Sequence, residues 1–248
     1  MQIAQTDFQD QLVRGLSHRM NNILSLFHGY LGLLMDDKKL DAVTREGLAK
    51  IKDGARAATD LMERTNSLVR PTAAVWRDVS LADLLRQMRP TFESFCGPRV
   101  RVHIECADDL PRVWADPSRI RMALTELVRN ACEAAERRVE ISVTAECGRV
   151  QGELFENAAE TPEHWLTIAI QDDGAGIPIT QAERIYEPFY STKRKPTAVG
   201  LGLAVATGCA QQLNGRVSHR SHPGETTFEL VLPSRVAQEA AEECMAVR

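Results

Sequence analysis

The sequence is poor in aromatic residues, 5% of 248, and carries no excess of positive charge, its formal net charge being −4. The first scarcity argues against a platform of rings on which bases could stack. The second gives no electrostatic case for nucleic acid or an anionic membrane as a partner. No apolar run approaches the roughly 20 residues that span a bilayer, so no membrane-spanning segment is expected. The N-terminal MQIAQTDFQDQ lacks the basic-then-apolar pattern of a secretory signal. A P-loop, GxxxxGK[ST], is also missing. The 6 cysteines (Cys96, Cys106, Cys132, Cys147, Cys209 and Cys244) are dispersed and form no CxxC pair. The expectation is reduced thiols in a cytoplasmic protein, without a disulfide frame or zinc site. What is present is an ordinary globular balance, 44% apolar and 26% charged. That balance disfavours disorder, and the length allows one or two domains.

Residues 1–72 read as a helical hairpin. Val13, Leu16, Met20, Ile23, Phe27, Tyr30 and Leu34 step by three and four, the spacing of a heptad seam. After the polar turn Asp36-Asp37-Lys38-Lys39, the residues Leu48, Ile51, Ala55, Ala58, Met62, Thr65 and Val69 repeat that stepping. A lone hairpin buries its seam poorly, whereas two copies form a four-helix bundle, so a homodimer through this region is expected. Packing of the hairpin onto the rest of its own chain is the plain alternative. Pro71 stops the second helix, and 73–79 reads as a linker. Residues 80–233 then change to mixed α/β, with 234–248 as a tail. Ser80 and Asp83 suggest a helix start, Pro90 a kink or break, and Val100, Val102 and Ile104 a strand. Asp116-Pro117 opens a long helix reaching about Arg137. Residues 139–147 alternate as a strand, and a second strand from Trp165 runs through Asp172-Asp173 into a glycine-rich loop, the two separated by a polar surface loop, 148–163. A helix from about 200 to 213 and a closing strand pair around Pro223-Gly224 complete the pattern.

Four places could carry chemistry. In LSHRMNNILSLFHGYLGLL, His18 lies two residues from Leu16 and from Met20. At 100° per residue it points about 160–200° away from both, outward from the seam. Asn22, one turn on, shares its face. An exposed neutral imidazole can act as a nucleophile, but taken alone such a residue is more simply a surface histidine. His28 reads as a core-edge or partner-surface residue. In TELVRNACEAA, the core stripe Ile120, Leu124, Leu127, Val128, Ala131 and Ala135 leaves Glu126, Asn130 and Glu133 as one polar stripe. A carboxylate and an amide one turn apart can hold Mg2+, with nucleotide phosphates completing the octahedron. The alternative is a solvated helix face. In IAIQDDGAGIP, a strand ends in Asp172-Asp173 followed by Gly174 and Gly176. Asp172 could accept a hydrogen bond from an exocyclic amine such as adenine's, and the glycines would let backbone approach a flat ring. In YEPFYSTKRKPTAVGLGLA, Lys193, Arg194 and Lys195 precede Gly200 and Gly202 at a helix start, where N–H groups can bind phosphate. A basic surface loop is the simpler alternative.

The order of these motifs along the chain resembles the sensor histidine kinases of two-component systems, over about residues 10–233. The resemblance implies a fold of class α + α/β: an N-terminal helical hairpin forming a dimeric four-helix bundle, then a two-layer α/β sandwich. That sandwich would be the Bergerat-type ATP-binding fold, with a mixed sheet, shared with gyrase, Hsp90 and MutL proteins. It implies ATP and Mg2+ as cofactors and a response-regulator receiver domain as partner. His18 then corresponds to the phosphoacceptor, and Asn22 to the residue that assists dephosphorylation. Asn130 corresponds to the metal ligand, Glu126 to the acid beside the metal, and Glu133 shares their stripe. Asp172 matches the adenine-reading aspartate, with Gly174 and Gly176 facing the ring and Thr226 near it. Phe189, Thr192 and Lys193 match the lid, and Gly200, Leu201 and Gly202 the second glycine box.

Two positions depart from that pattern. Arg19 stands where an acid usually follows the phosphoacceptor, which removes the expected base and favours the neutral imidazole of His18. Ala198-Val199 replaces a glycine and a hydroxyl residue before the second glycine box. The activity implied is autophosphorylation of His18 by ATP and transfer of the phosphoryl group to an aspartate of a response regulator. The departures keep a second reading open: a histidine phosphotransfer relay, or a phosphatase-biased regulator with weak ATP use.

Overall fold

The computed structural model describes residues 2–37, 39–69, 74–96, 100–106, 110–147, 164–193 and 199–234, without the side chains of 2–18, 67–69, 145–147 and 164. The surface loop expected at 148–163, Arg194, Lys195, Ala198 and nearly all of the expected tail lie outside the described residues. The chain divides into two compact units, Met1–Thr72 with Ser191–Leu201, and Ala73–Tyr190 with Gly202–Arg248.

In the first unit, α1 (Gln2–Met35) and α2 (Ala42–Val69) form the hairpin. Asp41 starts α2: its carboxylate accepts from the Thr44 N–H at 2.9 Å and from the Thr44 hydroxyl at 2.6 Å. Arg45 reaches back to the Met35 and Asp37 carbonyls at 3.4 and 3.2 Å, closing the turn. The buried contact between the helices is made by Leu24, Leu31 and Ala55, with Leu48, Ala58 and Met62 against them. His28 sits on this line, half-buried, its Nε2 3.3 Å from Thr59 Oγ1. Met20, Ile23, Phe27, Tyr30 and Leu34 are 39–66% exposed and do not close the hairpin. The reason is geometric. Leu24 and Leu31 lie on a stripe neighbouring Phe27 and Leu34, and one partner helix can cover only one of the two.

In the second unit, a five-stranded mixed sheet has the order β2-β4-β5-β7-β6, with β2 and β6 as its edges. Its strands are β2 (Arg101–Cys106), β4 (Arg138–Cys147), β5 (His164–Asp172), β6 (Arg216–His222) and β7 (Glu225–Pro233). Only β2 and β4 run parallel; the other pairs are antiparallel. Three helices form the second layer: α3 (Leu81–Phe95), α4 (Pro117–Ala134) and α5 (Gly202–Gln212). The apolar face of α3 is Leu81, Leu84, Leu85, Met88 and Phe92, all buried, and the helix passes through exposed Pro90 without a break. In α4, Ile120, Ala123, Leu124, Leu127, Val128 and Ala131 have no exposed surface.

A small antiparallel pair joins β1 (Arg77–Val79) to β3 (Val113–Ala115). The C-terminal half of the stretch expected as a linker is therefore a strand. A second correction concerns the thiols. Cys96, the residue closing α3, and Cys132, in the last turn of α4, are disulfide-bonded, with Cα atoms 5.0 Å apart. They are far apart in sequence, and only the packing of α3 on α4 brings them together. Cys106 and Cys209 are not disulfide-bonded.

Asp116 fastens the start of α4. Its Oδ1 accepts from the Ser118 N–H at 2.8 Å, and its Oδ2 from the Val75 N–H at 3.0 Å. Burial opposes ionisation of this carboxyl, but the two N–H groups and the nearby Arg119 outweigh it and hold its pKa below the usual value. A depressed carboxylate stabilises the fold above its unfolded pKa and loses that effect as pH falls through the folded one. Asp116→Ala is expected to lower stability at pH 7 by about 1–2 kcal/mol. In urea titrations the gap between variant and wild type should narrow below about pH 4.

Candidate nucleotide site

The site grows from the helix whose buried face anchors it to the sheet. Of the polar stripe on α4, Glu126 is buried, Asn130 half-buried and Glu133 exposed. The solvated-face alternative therefore fails at Glu126. The Arg129 guanidinium lies 3.4 Å from Glu126 Oε1 and 5.2 Å from the Phe95 ring centroid, so the end of α3 steadies the arginine beside the carboxylate. Across from the stripe stands Gly202, the first residue of α5. A Cβ there would lie 3.0 Å from Glu126 Oε2 and 3.3 Å from Asn130 Nδ2. The first N–H groups of α5, which have no partner within the helix, thus begin next to a carboxylate and an amide.

Asp172 ends β5 and is buried. Its Oδ1 accepts from the Gly174 N–H at 3.0 Å. Thr226, also buried, is its partner across the β5–β7 register. Thr226 Oγ1 is 2.9 Å from Ser221 Oγ, which accepts from the Ile177 N–H at 2.8 Å. Two glycines are required by contact. A Cβ on Gly174 would come within 2.5 Å of the Ala134 carbonyl oxygen at the end of α4. A Cβ on Gly176, whose φ is +85°, would come within 2.5 Å of the His222 carbonyl oxygen. The Asp172–Gly176 turn is thereby pressed between α4 and the β6–β7 turn.

Phe189 lies at the third position of a turn closed by the Tyr190 N–H to the Glu187 carbonyl at 3.2 Å. Its φ of +67° is one that a bulky residue rarely adopts, and its ring is 68% exposed. The turn stands on Tyr186, whose hydroxyl is 2.7 Å from His219 Nδ1, and on Arg184, stacked over Tyr190. Burial pushes the Tyr186 phenol up to about 12 and holds the His219 imidazole below its usual value.

The second unit therefore brings together Glu126, Asn130, Asp172, Gly174, Gly176, Gly202 and Thr226. Thr192, Lys193, Gly200 and Leu201 are grouped with the hairpin unit. There, the Lys193 N–H donates to Ser191 Oγ at 3.2 Å, Gly200 has φ +74°, and Leu201 is buried. On α1, Arg19 and Asn22 are exposed, and only the backbone of His18 is described. Sequence reasoning passed over Asp173, Ser221 and Arg129. The doubled aspartate was the one signal for the first; a lone serine and a lone arginine carry none.

Among the described residues no group of three or more His, Cys, Asp or Glu side chains has metal-binding geometry. Mg2+ needs no such cage, because it keeps several waters and takes one or two protein oxygens with the rest from phosphate. Glu126 and the Asn130 amide are oxygen donors one turn apart beside the start of α5, so the residues fit that ion.

Residues 115–236 match the family described as histidine kinase-, DNA gyrase B-, and HSP90-like ATPase. The sensor kinase CckA of Brucella abortus (strain 2308) is 26% identical over 235 residues, covering 94% of this chain and 25% of that protein. The alginate biosynthesis sensor protein KinB of Pseudomonas aeruginosa is 34% identical over 155 residues, 62% of this chain and 24% of its own. The chain spans about a quarter to a third of the length of such curated relatives. Full-length ShkA, solved in complex with AMPPNP, aligns with a TM-score of 0.71 at 20% identity, over 90% of this chain and 46% of that one. The histidine kinase AdeS of Acinetobacter baumannii aligns at 0.58 and 18% identity, over 88% and 98%. At these identities the structures speak for the fold.

Gly202→Ala should fold normally, because its nearest neighbours are side-chain ends. It should displace the Glu126 carboxylate and weaken ATP–Mg2+ binding at least tenfold by calorimetry, with an unchanged melting temperature.

Proposed function

The second unit of this chain belongs to the histidine kinase-, DNA gyrase B- and HSP90-like ATPases, and from that premise we propose that the whole is the phosphoacceptor and ATP-binding core of a two-component sensor histidine kinase. The observation that carries the proposal is the pairing of buried Glu126 with half-buried Asn130 beneath Gly202, in the same unit as Asp172 with its two contact-limited glycines. Asp172 and Thr226 receive the adenine, and Gly174 and Gly176 admit its ring. Asn130 and Glu126 would hold Mg2+, which would neutralise charge on the phosphates. Phe189, Thr192, Lys193, Gly200 and Leu201 form the lid over the nucleotide, and Glu133 borders the metal side. The His18 ring nitrogen forms a bond to the γ-phosphorus as the bond to the ADP oxygen breaks. The phosphoryl group then passes from that nitrogen to an aspartate carboxylate of a response-regulator receiver domain. Catalysis on this reading is mainly positioning and charge neutralisation.

Residues 1–72 serve as the dimerisation and phosphotransfer hairpin, 80–233 as the ATP-binding domain, and the assembly acts in the cytoplasm. The dimer reading is supported by the uncovered stripe Met20, Ile23, Phe27, Tyr30 and Leu34, which two copies could bury against each other as a four-helix bundle. By helical phase position 18 falls about 160° from the centre of that stripe, on the side of the helix that a receiver domain would approach. No described helix is long and apolar enough to cross a membrane. A second reading, a phosphatase-biased regulator, is favoured by exposed Asn22 one turn from His18 and by Arg19 in place of an acid.

Incubation with γ-labelled ATP and Mg2+ is expected to give acid-labile, alkali-stable label that is lost in both His18→Ala and Asn130→Ala. Label that survives His18→Ala would move the acceptor elsewhere, and absence of label with absence of nucleotide binding would remove the kinase reading. Phe27→Glu should convert the dimer to monomer in light scattering while leaving ATP affinity of the second unit within twofold.

A further inference from the structure

Asp173 is adjacent to the base-reading carboxylate but takes no part in the nucleotide site described above. Its Oδ1 accepts three successive backbone N–H groups, from Glu136 at 2.9 Å, Arg137 at 3.1 Å and Arg138 at 3.2 Å. These residues form the connector between the end of α4 and β4. One oxygen thereby fastens the end of β5 to the connector that leaves α4. The attachment sits between two other close approaches. Ala135 donates its N–H to Ala131 at 2.8 Å to finish α4, and the Ala134 carbonyl presses on Gly174.

We propose that Asp173 is a positioning residue that sets the spacing between the adenine-reading end of β5 and the metal-holding stripe of α4. The inference rests on the nucleotide-site reading given above and deepens it. Asp172 and Gly174 lie on one side of the attachment, Asn130 and Glu126 on the other. A ligand that reaches only one side does not sense the spacing. A ligand that bridges both sides does, because its second contact is made only when the first has been placed correctly. The N–H fan also explains why the position carries a carboxylate. Three converging donors form a concave site for negative charge, and they hold the Asp173 carboxyl in its ionised form despite the cost of partial desolvation.

The test compares two ligands on the full chain by calorimetry: adenosine, which reaches the β5 side alone, and ATP–Mg2+, which bridges. Asp173→Ala is expected to weaken ATP–Mg2+ at least tenfold and adenosine less than threefold. Asp173→Asn keeps an acceptor oxygen in the same place and should restore ATP–Mg2+ to within threefold of wild type. If the alanine variant does not fold, Asp173→Ser replaces it; its shorter hydroxyl reaches fewer of the donors and should weaken ATP–Mg2+ at least fivefold with the same selectivity. Equal losses for both ligands, tracking a fall in melting temperature, would make Asp173 a purely structural residue and overturn the proposal. Unchanged binding in the variants would also overturn it. Wild-type protein that binds neither ligand would instead remove the nucleotide-site reading itself, and this inference with it.

Discussion

The burial of a carboxylate on α4 is the constraint around which the second unit is organised. An ion the size of Glu126 costs several kcal/mol to remove from water unless other charges and dipoles answer it. The surroundings are arranged to answer it: Arg129 lies beside it, held in turn over Phe95, and the start of α5 stands opposite without a side chain. The apolar face of α4 locks the helix to the sheet, so the carboxylate has no freedom to escape by rotating the helix. A nucleotide triphosphate with its metal is chemistry that could use such a group, since it supplies cation and anion together.

Much of this domain was legible because its signals are local. Asp116-Pro117 starts α4, alternation marks β4, and Asp172-Asp173-Gly174 ends β5 where the motif places it. Glu126 and Asn130 were legible as a pair by their spacing of one turn, but not the burial of Glu126, which depends on α5 arriving from 76 residues away in sequence (202 minus 126). The role of Asp173 was hidden for a similar reason: its donors come from residues 136–138. Arg77–Val79 was read as linker because a strand of 3 residues has too few positions to show alternation. The Cys96–Cys132 bond was hidden by the same distance effect, for composition reports how many thiols exist and not which ones meet.

The hairpin gives a different lesson. Its two helices were legible from periodicity, as was the α2 side of their contact (Leu48, Ala55, Ala58 and Met62); the α1 side, Leu24 and Leu31, was not. When apolar residues occupy neighbouring stripes of one helix, spacing identifies both and ranks neither. The choice of Leu24 and Leu31 over Phe27 and Leu34 is made by where the short turn at Asp36–Asp41 returns the chain, capped by Asp41 and tied by Arg45. The outcome is a hairpin with a modest internal contact and its larger apolar residues outside.

The edges of the sheet bear on what that outside stripe can become. On β2 the outward side chains are Arg101, His103 and Glu105, and on β6 they include Arg220, paired with Glu229. A strand added at either edge would have to lie against these charges, so growth along the hydrogen-bonding direction is discouraged. Such growth has no natural end, whereas a self-complementary stripe on a helix is satisfied once a second copy has met it. Charges on strands far from α1 in sequence therefore disfavour open-ended growth of the sheet from one copy to the next.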